Sequence, residues 1–411
     1  VLQPTEVKGA SGKTQAWSGA VSGRAPQPHE IAIGRPLPWP IHDRGGKLLL
    51  KRGEIIRSEG ILAAVLERGL VYERDLAGAA ARVREIAPEE HVERTAPSVF
   101  SQLRRLQGRV ENMLLGLRQP TSETALAECV QLSREVGEAC AADLDAALAA
   151  FQVDASEDAG GTAALALHDT VLCAMLAEAM GLEQPAREHL LCAALTHDVG
   201  MFPLADALVR QKPALSAEQR DALSEHTRVS CALLQRSGVE EEEWLRGVAE
   251  HHERVDGSGY PRGLRGDAIC LPARILALVD TYSAMIRPRA YRDALPCREA
   301  LRELFLERGR QIDEPLAALF IREIGLYPPG TLVRLRNGEV AIVTQRGTPS
   351  RPAQVKPVIS ASGVPLVRPA AHAADQPDYR ILGGESIARY RSVLGRVHDL
   401  WDQASRGPKI G

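Results

Sequence analysis

A chain of 411 residues with 50 basic and 53 acidic side chains has a formal charge of −3, which leaves no basic footprint for a nucleic-acid polymer or an anionic membrane. Its 45% hydrophobic and 25% charged composition is that of ordinary globular protein, long enough for two or three domains, and the aromatic share of only 4% leaves the apolar content to Ala, Leu and Val, which favours helices. Seven cysteines without a CxxC pair, no apolar run long enough to span a bilayer and no charged-then-apolar leader point to the cytoplasm.

Residues 1–30 are rich in Gly, Ser, Pro and Thr and read as a flexible tail. Residues 31–80 read as a small α+β unit. Short strands surround the turn signals Asp43-Arg44-Gly45-Gly46 and Lys51-Arg52-Gly53, and Ser58 can cap a helix that Gly69 stops. This unit holds a His42-Asp43 pair, but on a strand with no ligand cluster nearby, and we set it aside. Residues 81–156 form a helical linker or regulatory region. Val99, Leu103, Leu106, Val110, Met113 and Leu117 make a heptad seam; Ser122 can cap a second helix running through Leu126, Val136, Cys140, Leu144 and Leu148. The seam suits either a hairpin packed on its neighbour or a homodimer stalk through residues 98–151. After a helical region at 157–329, Tyr327-Pro328-Pro329-Gly330 marks a boundary. Residues 330–384 read as a small β unit with a hairpin at Asn337-Gly338, and 385–411 as an amphipathic helix and tail.

The chemistry is concentrated in the helical region. THDVGM at 196–201 sets His197 beside Asp198, and AEHHERVDGSGYPRGLRGD at 249–267 sets His251 beside His252. Adjacent side chains on a helix diverge by about 100°, so each doublet suits two neighbouring ions better than one. His168 and His226 lie among helically spaced apolar residues, and Asp280 is an acid on the apolar stretch ARILALVD, costly to bury without a cation. Imidazoles and carboxylates without a thiolate cluster suit Fe, Mn, Ni, Co or Zn. Two such ions ~3.5–4 Å apart would acidify a water to hydroxide and neutralise a phosphodiester.

These segments resemble the HD-GYP family, bacterial phosphodiesterases that open cyclic di-GMP. The string HHERVDGSGYPRGLRGD followed by PARILALVD carries the likeness, which covers 160–329. It implies a mainly α chain with an all-helical HD-type metal domain at 157–329. It also implies two transition-metal ions, Fe or Mn foremost and otherwise Ni, Co or Zn. Their ligands would be His168, His197, Asp198, His226, His251, His252 and Asp280, with Asp198 bridging and His197 and Asp198 at the catalytic core. Gly259, Tyr260 and Pro261 would shape the substrate loop and meet signalling partners, and Arg289 and Arg292 would hold cyclic di-GMP on its way to pGpG or GMP. Three departures stand out: Met201 replaces the lysine of HD-x-G-K, Ser283 the second acid of the late D-x-x-D, and Ala164 a glutamate that some members carry for a third metal. An acid at 283 would be placed to hold a lysine at 201. The expectation is a slow enzyme; the alternative is a degenerate module that binds cyclic di-GMP or partner proteins without turnover.

Overall fold

The computed structural model describes residues 98–153, 161–202, 204–211, 213–288, 293–348, 350–366, 370–390 and 399–402, with shorter stretches between 23 and 72. The chain divides into two compact units, Val1–Thr95 and Ala96–Gly411.

Among the described residues of the first unit, β1 (Gly23–Arg24) pairs antiparallel with β4 (Val71–Tyr72), and β2 (Ile41–His42) with β3 (Leu48–Leu50). Ile31, Leu37, Trp39, Ile41, Ile56 and Val65 form its small core. Asp43 and most of the helix expected after Ser58 lie outside the described residues.

The second unit is mainly α. Its helices are α1 (Val99–Leu117), α2 (Glu123–Ala142), α3 (Leu144–Val153), α4 (Gly161–Ala179), α5 (Ala186–Thr196), α6 (Leu204–Arg210), α7 (Ala217–Arg236), α8 (Glu242–Glu250), α9 (Leu271–Ile286), α10 (Cys297–Glu307) and α11 (Glu314–Ile324). Helix α4 explains the arrangement. It has the length and apolarity of a membrane span, yet 83% of that window is buried inside the protein, and 15 of its 19 residues are buried. A helix apolar all round needs cover on every side. Helix α1 supplies part of that cover: Leu103, Leu106, Val110, Met113 and Leu117 are each at most 6% exposed and share one core with α4, α5 and α9. The seam side chains are therefore consumed within the chain.

Two local expectations change. Ser98 caps α1 by accepting from the Ser101 N–H, but Ser122 makes no such cap on α2; its hydroxyl bonds Ser237 Oγ at 2.6 Å and ties α2 to the end of α7. The second helix is also broken, because Asp143 adopts an extended conformation between α2 and α3.

A five-stranded antiparallel sheet follows, in the order β8 (His372–Ala373), β7 (Gln354–Ile359), β6 (Val340–Gln345), β5 (Leu332–Leu335), β9 (Ile381–Gly384). The Asn337-Gly338 turn joins β5 to β6. Alternation decides its two faces: Val333, Leu335, Ala341, Val343 and Val355 form a separate core, while Leu332, Val340, Ile342, Val358 and Ile359 join the helical one. Near the C-terminus, Trp401 stacks on Phe100 with ring centroids 6.0 Å apart. Residues 391–398 of the expected last helix lie outside the described residues.

The five seam side chains contribute roughly 8–15 kcal/mol at about 1.5–3 kcal/mol each, as much as a domain's whole net stability of about 5–15 kcal/mol. A chain starting at Ala96 should therefore unfold cooperatively, whereas one starting at 154 should be molten or insoluble. Near-UV circular dichroism and size exclusion of the two truncations check this.

Candidate metal centre

Five helices deliver the cluster. His197 and His251 are the C-cap residues of α5 and α8, His226 lies on α7, Asp280 on α9, and α4 contributes Asp169. Three histidines share one hydrogen-bond pattern. The Nδ1–H of His197, His226 and His251 donates to the carbonyl three residues back, of Ala194 at 2.9 Å, Leu223 at 2.6 Å and Val248 at 2.8 Å. Helix ends leave carbonyls unpaired, so α5 and α8 offer such acceptors without rearrangement. With Nδ1–H committed, each neutral ring turns its Nε2 lone pair into the cluster, the tautomer a metal ligand needs.

The spacing fits shared cations. Two donors each about 2.0–2.2 Å from one ion sit roughly 2.8–3.6 Å apart. Asp198 Oδ1 is 3.3 Å from His226 Nε2 and 3.9 Å from His251 Nε2, and Asp198 Oδ2 is 3.7 Å from His197 Nε2. His226 Nε2 and His251 Nε2 face each other at 3.4 Å. With both Nδ1 atoms protonated, only a proton or a metal cation makes that contact favourable. Among the described residues, three groups bring their ligand atoms within 4.8 Å of one another: His226, His251 and His252; His197, Asp198 and His251; Asp169, His197 and Asp280.

His168 is in none of these groups. Its ring packs on Phe151 with centroids 5.1 Å apart, and its Nδ1 lies 3.2 Å from Ser283 Oγ. The residue that α4 turns to the cluster is the next one, Asp169, whose Oδ2 is 3.8 Å from His197 Nε2. Adjacent residues diverge on a helix, so only one of the two can face inward. The signal was present, since Asp169, like Asp280, is an acid on an apolar helix. Asp169 is fully buried, and among the described residues both its oxygens and His197 Nε2 lack a hydrogen-bond partner. Ser283, where an acid was expected to hold a lysine at 201, is buried against His168. Arg289 and Arg292 lie outside the described residues.

Electrostatics point the same way. Burial, with Asp280 adding to it, pushes the Asp169 carboxyl up to about 7. Burial and the other imidazoles hold His251 well below the usual histidine range and His252 down at about 3. Burial also works against charge on His197 and His226, but the Asp198 carboxylate outweighs it and raises both. Asp198 itself is held far below the usual carboxylate range, its burial outweighed by the three imidazoles around it. Protons on His197 and His226 then supply the positive charge that the buried carboxylates require, where cations would supply it better.

The loop after the histidines is anchored from beneath. Glu253 accepts the backbone N–H of Arg262 at 2.7 Å and of Leu264 at 2.9 Å. Buried Glu250 accepts from Arg246 Nε at 2.9 Å, from the Cys270 N–H at 2.8 Å and from the Arg262 guanidinium. These bonds hold Tyr260 stacked on His252, with centroids 4.8 Å apart and 23° between planes. Gly259 makes the approach possible, since a Cβ there would lie 2.4–2.5 Å from Arg254 N, Glu253 Cα and His252 O. Gly200 serves the other segment: a Cβ would sit 2.4 Å from His226 O, and its N–H donates to Ser230 Oγ, which donates to His197 O, both at 2.8 Å.

Gly259→Ala should cost about 1–3 kcal/mol, the usual range for overpacking, and unstack Tyr260. Denaturant unfolding reads the first effect and Tyr260 fluorescence or ring chemical shifts the second.

Residues 114–316 match the model of the HD domain family, a match that begins inside α1. The chain is 34% identical over 157 residues to the cyclic di-GMP phosphodiesterase response regulator RpfG of Xanthomonas campestris, covering 38% of this chain and 41% of that protein. It is 29% identical over 242 residues to a cyclic di-GMP phosphodiesterase of Pseudomonas aeruginosa, covering 57% and 58%. It is 34% identical over 132 residues to 3'3'-cGAMP-specific phosphodiesterase 1 of Vibrio cholerae, covering 32% and 30%. The matches thus span between about a third and three fifths of these relatives' own length. With its HD-x-G turn and its HHE…GYP loop built into one cluster, the segment 114–316 is an HD domain of the HD-GYP type.

Proposed function

We propose that this chain is a metal-dependent phosphodiesterase that opens a cyclic dinucleotide, cyclic di-GMP first, to pGpG or onward to GMP. The observation that carries the reading is the convergence of three Nε2 lone pairs on Asp198, beside a buried Asp169 without hydrogen-bond partners. His226, His251 and His252 would hold one ion, Asp169, His197 and Asp280 the other, with Asp198 between them. When bound, such a pair supplies an acidified water and charge neutralisation at the phosphoryl group. The residues around the pair do the rest. Tyr260, 37% exposed and stacked on His252, offers an aromatic face to a nucleobase. The bonds from Glu250 and Glu253 hold that face in position. The Gly259-Tyr260-Pro261 loop also has the exposure for partner contacts. Seven free thiols suit a reducing cytoplasm.

Met201 bears on the rate. In the HD-GYP pattern a lysine stands there, and an electrostatic contact to the developing phosphoryl charge is worth ~2.7–4 kcal/mol, or roughly a hundred- to thousandfold. The neutral, half-buried Met201 makes turnover slow, and it is also the observation that favours the second reading, a nucleotide-binding module without turnover.

Protein loaded with Mn or Fe is incubated with cyclic di-GMP and, in parallel, with 3'3'-cGAMP, and products are separated by chromatography. Linear dinucleotide from the first substrate supports the enzyme. Binding without product supports the module; product from 3'3'-cGAMP alone moves the specificity. Protein that holds two ions yet neither binds nor cleaves either compound contradicts both readings. His197→Ala and Asp280→Ala should each lose metal, read by elemental analysis, together with at least a hundredfold of activity. Met201→Lys should raise turnover at least tenfold if the protein is an enzyme.

A further inference from the structure

The cluster does not offer two equivalent positions. Around His226, His251 and His252 the donors are three imidazole nitrogens, with Asp198 Oδ1 at their edge, 3.3 Å from His226 Nε2. Around His197 three of the other donors are carboxylates, Asp169 Oδ2 at 3.8 Å, Asp198 Oδ2 at 3.7 Å, and Asp280 within the same group, and His251 is the one imidazole shared with the first position. Asp169 makes the difference. Its neighbour His168 would have added a nitrogen, but that ring is turned to Phe151 and Ser283. The carboxylate in its place is fully buried, is aimed at His197, and among the described residues has no hydrogen-bond partner on either oxygen.

We infer that this chain builds a chemically unequal pair of metal positions, an oxygen-rich one at Asp169, His197, Asp198 and Asp280 and a nitrogen-rich one at His226, His251 and His252. Carboxylate oxygens suit hard ions such as Mn²⁺, and imidazoles suit Zn²⁺, Fe²⁺ and Ni²⁺. Zn²⁺ also outranks Mn²⁺ at nitrogen donors in the general affinity order. The histidine position therefore selects Zn²⁺ over Mn²⁺ strongly and the carboxylate position weakly. Supplied with both ions, the protein settles as one Mn and one Zn per chain. This rests on the metal-binding part of the proposed function and deepens it, without needing turnover.

The test uses the full chain and metal salts alone. Protein is loaded with MnCl2, titrated with ZnCl2, desalted, and read by elemental analysis and by electron paramagnetic resonance. The expected course has two stages. The first equivalent of zinc displaces one manganese, and the spectrum changes from that of a coupled pair to the six-line signal of an isolated Mn²⁺. Displacing the second takes at least tenfold more zinc. Asp169→Asn, nearly isosteric, should bind zinc as before but retain less than half of the second ion. Asp169→His, which restores a nitrogen, should keep two ions and bring the two displacement stages to within about threefold. Circular dichroism of both variants confirms folding, and where one variant fails to fold the other decides.

Parallel loss of both manganese ions from the wild type, with no mixed state, would overturn the inference. So would an Asp169→Asn protein that keeps two ions and the same displacement order. These results differ from a failure of the proposed function: protein that takes up no metal refutes that reading, and ordered exchange without cyclic dinucleotide hydrolysis refutes only the activity.

Discussion

Buried carboxylates set among imidazoles need positive charge, and the arrangement of the second unit answers that need. Taking an ionised carboxylate out of water costs several kcal/mol even after relaxation, and here Asp169 and Asp198 are withdrawn together beside Asp280. Among the described residues, the ion-pair partners of Asp169 and Asp198 are histidines. In three of those rings Nδ1–H is committed to the backbone, so Nε2 is the atom that takes up either a proton or a cation. The cluster is thus unfavourable as a purely protein assembly and becomes favourable with cations in it. That is the signature of a metal site as opposed to an ion-pair network.

Holding such a cluster takes a rigid surround, and the chain supplies it in two ways. Helix α4 is buried on nearly every side, by α1 and α2 as well as by α5 and α9, so Asp169 has no route to solvent. The two motif segments are fastened by short-range backbone contacts. Ser230 clips the turn after Asp198 to α7, and Arg118, at the end of α1, donates to the carbonyls of Val199 and Gly200 at 2.8 and 3.1 Å. Through Arg118 the residues expected to link or regulate touch the metal turn directly. A helix pair that looks separable by its linker is part of the wall of the site.

The same logic separates what is shared with the HD-GYP pattern from what belongs to this chain. The HHE…GYP loop works as a unit: Glu253 binds backbone, Gly259 permits the close approach, and Tyr260 covers His252. Met201 and Asp169 lie on opposite sides of the cluster's chemistry: the first stands where the pattern has a lysine, and the second is an acid on α4 that the pattern as read did not include. One is uncharged, and the other is an oxygen donor.

Much of this was legible in the order of residues. Adjacent His197-Asp198 and His251-His252 pointed to a cluster of potential metal ligands, and both doublets do lie in one. An acid on an apolar helix, as at Asp280, implies a cation because burial of charge is costly. The helix-rich class and the Asn337-Gly338 hairpin follow from equally local rules. Other features are relations between distant residues, and only the tertiary structure decided them. A heptad seam reads the same whether its partner is a second copy or the chain's own α4; the burial of Leu103 to Leu117 chose the latter. Whether His168 or Asp169 faces the cluster depends on the rotation of α4 about its axis. The helically spaced apolar residues around His168 argued for the histidine, but α4 is apolar all round and its own pattern marks no inward face. The packing of α1, α2, α5 and α9 around it set that rotation, and with it the choice between an imidazole and a carboxylate at the metal.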